Sequence, residues 1–391
     1  MKILFIHNDY AKPSGEEHAA KGLASLLVQN GHIVEWYRRS SAEIGDSSRK
    51  KLQAFFSGFY SATAIQQVKE KIKKFNPNIV QVQNLYPLIS PAILKIIKKE
   101  GIPIVMRCPN YRIFCPNGLF LDNKGKVCEK CTSSLKEAWC IIKNCEKSLP
   151  KSIGYSLRNM SARLSSAFFN NVNIFIVQSD FQKKKFNQLG IPTEKLHIIP
   201  GLTPPLLANS NNTLGDKVTF VGRVSAEKGI YEFLEAAKQL PEIPFVIAGR
   251  VDKKCRHLIN STLENIEWKG FISGVDLDEL YIKSRIIVIP SKWYEGFPNV
   301  ITRAMIHGKP VITSNIGVMS SIIDHEKNGL LTEPGNIPEL KTNIEMLYHD
   351  EQKCMEMGKN GREKAELEYS TTVIYKELIQ CYGIAIRNKN T

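Results

Sequence analysis

The stretch Trp293-Tyr294-Glu295-Gly296-Phe297-Pro298-Asn299-Val300-Ile301-Thr302-Arg303-Ala304-Met305, followed by Gly308-Lys309-Pro310-Val311-Ile312, decides the reading of this chain. An apolar strand, Ile286 to Ile289, runs into Pro290-Ser291, then a carboxylate, a glycine and a helix carrying Ala304 and Met305. That order puts Glu295 in a loop at the carboxyl end of a parallel strand, beside a helix N-terminus. Open α/β sheets bind ligands along that edge, and a helix N-terminus attracts phosphate through its unshared N–H groups.

The alternation extends outward from there. Strands are expected at Val218–Val221, Phe245–Ala248, Ile266–Trp268 and Val311–Thr313, with a helix between most neighbours. The first half repeats the pattern, with strands at Lys2–Ile6, Ile33–Tyr37, Ile79–Val82, Ile102–Met106, Ile174–Val177 and Leu196–Pro200. Helices are expected over 16–29, 64–75, 91–99 and 152–169, and at the end over 337–369, broken near Asp350, and 371–386. Residues 201–216, rich in Pro, Asn and Ser, read as a linker. The pattern therefore predicts an α/β chain with two doubly wound units joined at a hinge, which implies a cleft.

Size and composition agree. At 391 residues the chain can hold two cores, and 43% hydrophobic with 23% charged residues is ordinary for a globular protein. No apolar run approaches the roughly 18 residues of a membrane span. The chain enters a strand directly at Lys2 with no leader pattern, so a cytoplasmic location is expected. The formal net charge is +15, and 30 of the 53 Lys and Arg residues fall in residues 1–200 against 14 of the 38 Asp and Glu. All of the excess positive charge therefore lies in the first half. It points to an anionic partner: a membrane leaflet, a lipid diphosphate or nucleic acid.

A second motif, Gly222-Arg223-Val224-Ser225-Ala226-Glu227-Lys228-Gly229, follows its own strand and opens a helix. Arg223 and Lys228, five residues apart across a tight loop, are placed to converge on one diphosphate and neutralise a departing phosphate. Near the start, His7-Asn8-Asp9-Tyr10 precedes Ser14-Gly15-Glu16-Glu17-His18, again strand, loop, glycine and helix. Backbone N–H groups at Gly15 and Glu16 would face a pyrophosphate there.

Together these motifs resemble the retaining glycosyltransferases of family 4, with the GT-B fold. The resemblance implies two Rossmann-like domains facing across a cleft: an acceptor domain over 1–200, a linker over 201–216 and a nucleotide-sugar domain over 217–370. A last helix, 371–391, would cross back to the first domain. It implies that Arg223 and Lys228 grip the donor diphosphate and that Glu295 holds the donor sugar. Gly222, Gly270, Phe271, Gly296, Phe297, Asn299, Val300 and Arg303 would complete the pocket for a UDP- or GDP-sugar. Gly249 is less secure, because the second glycine usual two residues later is Val251.

Two positions depart from the family pattern. The second Glu that usually follows Glu295 by eight residues, and binds ribose, is Arg303, which can only donate hydrogen bonds. The His of the related His-Asn-Tyr-Arg is Pro109, in Cys108-Pro109-Asn110-Tyr111-Arg112. A member that has drifted from catalysis is one alternative these departures leave open. The implied chemistry needs charge stabilisation and positioning more than a side-chain base, and no metal.

Six of the nine cysteines lie between 108 and 145. Cys128-x2-Cys131 has metal-ligand spacing, and Cys115 with Cys140 or Cys145 would complete a four-thiolate site, so a structural Zn²⁺ is expected in an insert over about 108–148. Resemblance to sequences with a Cys-Pro-Asn-Gly … Cys-x-x-Cys … Cys insert selects Cys115, Cys128, Cys131 and Cys145.

The expected function is transfer of a sugar, with retention, from a nucleotide-diphosphate donor to a lipid-linked or saccharide acceptor in surface polysaccharide assembly, at the inner face of the plasma membrane. A sugar-nucleotide epimerase or phosphorylase on the same fold is the alternative enzyme. A zinc-module nucleic-acid binder is disfavoured, because the Cys-rich segment sits inside an α/β domain, and no nucleic-acid partner is expected.

Overall fold

A computed structural model describes residues 1–11, 15–203, 214–260 and 263–389. Contacts divide the chain into two units: residues 1–123, 128–202 and 374–391, and residues 124–127 with 203–373. Most of the expected linker, residues 204–213, lies outside the described residues.

The first unit runs β1 (Lys2–Asp9), α1 (Gly15–Gln29), β2 (Ile33–Ser40), α2 (Ser48–Ser57), α3 (Ala62–Phe75), β3 (Ile79–Asn84), α4 (Ala92–Lys99) and β4 (Ile104–Arg107). It continues through α5 (Ala138–Ile142), α6 (Leu149–Leu164), β5 (Ile174–Val177), α7 (Asp180–Gln188) and β6 (Leu196–Ile198). Its sheet is parallel in the order β2-β1-β3-β4-β5-β6. Ile3, Leu4, Phe5 and Ile6 are all buried, as expected for strands covered on both faces. Helix α3 shows how local signals and packing agree. Ser61 caps it by accepting from Ala64 N, and Ala64, Ile65, Val68, Ile72 and Phe75 form its buried stripe. Asn76, left-handed at φ 49°, ends it before Pro77. Each large apolar side chain in that stripe contributes roughly 1.5–3 kcal/mol by burial.

The second unit contains β7 (Lys217–Val221), α8 (Ile230–Lys238), β8 (Phe245–Ala248), β9 (Ile266–Gly270), α9 (Val275–Lys283), β10 (Ser284–Ile289) and α10 (Asn299–Ile306). Then follow β11 (Val311–Ser314), α11 (Met319–Ile322), β12 (Gly329–Thr332), α12 (Ile337–His349) and α13 (Glu351–Glu368). Its parallel sheet has the order β12-β11-β10-β7-β8-β9. Elements not expected include α2, α5, α7, α11 and the four-residue edge strand β12, each too short or too polar for its periodicity to stand out. The break near Asp350 is a cap, whose carboxylate accepts from Lys353 N at 2.9 Å.

The last helix, α14 (Thr371–Arg387), belongs to the first unit. Its Ile374, Leu378, Cys381, Tyr382 and Ala385 share a core with Ile3, Phe5, Leu23 and Ile79. In each sheet the chain reverses winding direction once, between β1 and β3 and between β7 and β10. Loops on either side of such a reversal diverge, and the crevice they leave is where ligands bind in this class of fold.

Candidate active site

The loops after β7 and β10 flank the reversal in the second unit, and they carry Arg223, Lys228 and Glu295. Glu295 is buried, and its Oε1 accepts from Lys228 Nζ at 2.5 Å, Ser291 Oγ at 2.8 Å and Trp293 Nε1 at 3.0 Å. The Lys228 ammonium also lies 5.5 Å from the Trp293 ring centroid. Three donors on one oxygen hold the carboxylate in one place. An ammonium has three N–H donors, and Glu295 takes one of them.

Gly229 makes the approach possible. It sits at φ 78°, and a Cβ there would lie 2.0 Å from Pro290 O. The β7 loop is tied to the β10 loop again where Lys292 N donates to Glu227 O at 2.8 Å.

Arg223 is placed differently. It is about half exposed and donates to Glu227 Oε1 at 2.5 Å, with Asp252 at 3.8 Å. Lys228 and Glu295 are therefore brought together directly, whereas Arg223 lies on the same loop with its own carboxylates.

Three glycines mark the ends of adjacent strands. Gly222 N donates to Ala248 O at 2.9 Å, and Gly249 N donates to Gly270 O at 2.7 Å. Gly249 is a requirement: at φ 151°, a Cβ would come within 1.7 Å of Gly222 O. Phe271, just past Gly270, is 57% exposed, with the Arg250 guanidinium 4.5 Å from its ring centroid. Arg250 was not expected from the sequence, although it follows Gly249 directly.

Gly296 and Phe297 lead into α10, and the half-buried Phe297 packs edge-on to Tyr369 at 5.7 Å. Asn299 and Val300 form the first turn of α10, and no side chain caps it. Arg303 is committed elsewhere. It donates to Asp278 Oδ1 through Nε at 2.9 Å and Nη2 at 2.5 Å, and His307 Nε2 meets the same oxygen at 3.0 Å. Arg303, expected to help complete the donor pocket, here makes an ion pair between α10 and α9. The physical reason is that Asp278 and Arg303 face each other where those helices pack.

In the first unit, Gly15 opens α1, and Glu16 is the centre of a polar cluster. Its Oε2 accepts from Tyr10 Oη at 2.9 Å and from Asn110 Nδ2 at 3.4 Å. Burial holds the Glu16 carboxyl above its ordinary range, against the pull of Arg112. Arg112 donates to Asn84 Oδ1 at 3.2 Å, and both line a pocket with Tyr86, Arg107 and Asn110. Tyr10, Asn84 and Arg107 were not among the expected site residues. They are gathered by the ends of β1, β3 and β4, on the two sides of this sheet's own reversal.

His7 lies beside that cluster, 1% exposed, with Nε2 at 3.3 Å from Asp9 Oδ1. Burial lowers its pKa to about 4. In the unfolded chain it protonates near 6.5, so the folded form resists a proton that the unfolded form accepts. Stability is therefore lost as pH falls from about 6.5 to about 4, by roughly 3 kcal/mol at most. Melting temperatures across that window check this, and His7→Gln should flatten the decline.

The cysteine site does not assemble as expected. All nine cysteines are free thiols. A tetrahedral zinc site needs sulfurs about 2.3 Å from one ion. Among the described residues no three cysteine sulfurs lie within 4.8 Å of one another; the one such group of potential ligands is His7, Asp9 and Glu17. Cys115 Sγ instead donates to Asn117 Oδ1 at 2.9 Å. Cys140 and Cys145 share a hydrogen bond that pulls the Cys140 thiol down and pushes the Cys145 thiol up. The sulfurs of Cys115, Cys131, Cys140 and Cys145 lie near enough to act on one another, yet no three of them come within 4.8 Å, so the structure lends the expected zinc set no support.

No helix among the described residues is long and apolar enough to cross a membrane. The fold is shared with solved structures. Sucrose-phosphate synthase from Thermosynechococcus elongatus superimposes with a TM-score of 0.72 at 17% identity, covering 98% of both chains. Anabaena HepE, solved with UDP and glucose, does so at 0.66 and 18%, covering 97% of this chain and 98% of that one. By sequence, an uncharacterized 42.6 kDa protein in the cps region of Klebsiella pneumoniae is 26% identical over 353 residues, 82% of this chain and 87% of that protein. The capsular polysaccharide biosynthesis glycosyltransferase CapM of Staphylococcus aureus is 27% identical over 191 residues, 46% of this chain and 48% of CapM. Residues 209–364 match the family described as Glycosyl transferases group 1. They enclose β7 through α12, including every residue of the Lys228–Glu295 cluster, so the region that carries the site is similar to the glycosyl transferases of group 1, and the fold is that of the GT-B structures.

Proposed function

We propose that this protein is a retaining glycosyltransferase that uses a nucleotide-diphosphate sugar and acts in surface polysaccharide biosynthesis. The observation that carries the reading is the contact of Lys228 with buried Glu295 at the strand-order reversal of the second unit. Lys228 and Arg223 supply positive charge for the diphosphate. Glu295, fixed by Ser291 and Trp293, accepts from sugar hydroxyls and orients the anomeric carbon. The acceptor oxygen bonds to that carbon on the face from which the diphosphate departs. The carbon–oxygen bond to phosphate breaks, and the acceptor proton passes to the departing phosphate oxygen. Charge stabilisation of the leaving group is the main task left to side chains.

The donor reading is supported by the solved relative holding UDP and glucose, and the biosynthetic setting by CapM and the cps-region relative. The first unit, with the chain's excess of cations, takes a lipid-linked or saccharide acceptor at the inner face of the plasma membrane. Thermal shift against a panel of UDP- and GDP-sugars tests this, since a ligand that binds only the folded state raises its melting temperature. No shift and no slow hydrolysis with any donor would remove the proposal. Turnover of a donor into its epimer without an acceptor would replace it.

Phe271 is the expected platform for the base. Stacking on an exposed aromatic ring is worth about 1–3 kcal/mol, so Phe271→Ala should weaken nucleotide affinity about tenfold or more. Titration calorimetry with UDP and GDP checks the loss, and unliganded stability should hardly change.

A further inference from the structure

Helix α6 is built inside out. Its buried face is polar: Ser152, Ser156, Arg158 and Asn159 are all nearly inaccessible. They are needed there, because the helix covers the backbone of the Cys-rich segment. Arg158 donates to Pro116 O at 3.0 Å and Asn159 to Arg112 O at 2.6 Å. The apolar residues are left outside. Leu149, Ile153, Leu157, Met160 and Leu164 recur at intervals of three and four and share one face; Leu149 and Leu164 at its ends are exposed by 52% and 69%, Ile153 and Met160 by 37% each, and Leu157 is half-buried. The stripe is roughly 22 Å long at 1.5 Å per residue.

Helix α2 adds to it. The Phe55 ring sits so close over Gly154 that a Cβ there would meet it at 2.9 Å. Beyond that junction, Leu52, Phe56 and Tyr60 are exposed by 58%, 60% and 63%. On α5, Ile142 is 62% exposed. Cations accompany this surface: Arg49 and Lys50 open α2, and Lys147 and Lys151 flank the start of α6. None of these four is in an ion pair with a described residue.

We propose that the α2–α6 surface docks on an anionic lipid bilayer, with the apolar stripe in the headgroup–acyl boundary and the lysines and arginines against lipid phosphates. A helix with an apolar face and basic flanks lies in that plane. Charge decides between this occupant and a second copy of the chain, because a two-fold contact through the stripe brings the same cations together. The assignment rests on the reading that the acceptor is membrane-borne, and it names the surface that meets the membrane.

The test is co-sedimentation of the full chain with vesicles of phosphatidylcholine alone or with 30 mol% phosphatidylglycerol (about a third anionic), at low and high salt. The wild type should pellet with the anionic vesicles and release as salt rises. Ile153→Ser/Leu164→Ser should weaken vesicle binding by about tenfold or more. Leu367→Ser, at a 75% exposed site on α13, should leave it unchanged. Failure of the wild type to pellet, or full binding by the α6 double variant, overturns the proposal. So does a concentration-dependent dimer that the double variant abolishes without vesicle binding in either protein. Donor thermal shift on the same samples separates the two readings: a retained shift without vesicle binding removes only the docking surface, and vesicle binding without any shift removes the transferase reading.

Discussion

Lys228→Met should abolish the thermal shift produced by nucleotide sugars and lower sugar transfer roughly a thousandfold, the scale seen when one donor to a developing oxyanion is removed. Two effects will be superimposed. Lys228 is also the cation beside a buried carboxylate, and its loss leaves Glu295 with only Ser291 and Trp293 as donors. Removing one partner of a largely buried pair costs about 3 kcal/mol, so the variant should melt earlier even without ligand. Lys228→Met/Glu295→Gln distinguishes the two, because it removes the uncompensated charge. The double variant should regain most of the stability and none of the transfer. A donor shift that survives in Lys228→Met would mean that the diphosphate binds elsewhere.

Gly249→Ala should unfold or severely weaken the second unit. The added Cβ would meet Gly222 O at 1.7 Å, at a φ of 151° that side chains rarely adopt. Neither atom can yield easily, since both belong to backbone at the ends of paired strands β7 and β8. A cost of roughly 3 kcal/mol or more follows from strain and overlap together. Gly15→Ala is the control, because nothing lies within 4 Å of its added carbon. Calorimetry should show the second unit's transition lowered sharply in Gly249→Ala and nearly unchanged in Gly15→Ala. An unaltered transition in both would show that β7 and β8 do not approach so closely.

Both expectations start from residues that were conspicuous in the sequence, yet they were legible to different degrees. Lys228 and Glu295 stand in short motifs directly after apolar strands, so their placement at the sheet edge followed from strand–loop–helix order. Gly249 was discounted because Val251 interrupts a familiar spacing, while its actual requirement comes from Gly222, a neighbour only across the sheet. Arg303 was conspicuous as a departure, but its partner Asp278 lies on another helix. The direction of a guanidinium depends on how α9 and α10 cross. The cysteines show the same limit: a spacing of two residues allows shared ligation, and the orientation of five separate thiols decides whether it occurs.

By itself, the sequence determined the alternation of strands and helices, the two-unit organisation and the loops that carry charge to the strand ends. Those features depend on periodicity and on neighbours a few residues apart. Tertiary structure alone decided that Lys228, Ser291 and Trp293 converge on one oxygen of Glu295, that Arg303 serves an interhelical pair, and that α6 turns its polar face inward. Each of these depends on which surfaces meet after packing, and a backbone carbonyl that needs a donor can outrank the tendency of leucine and isoleucine to be buried.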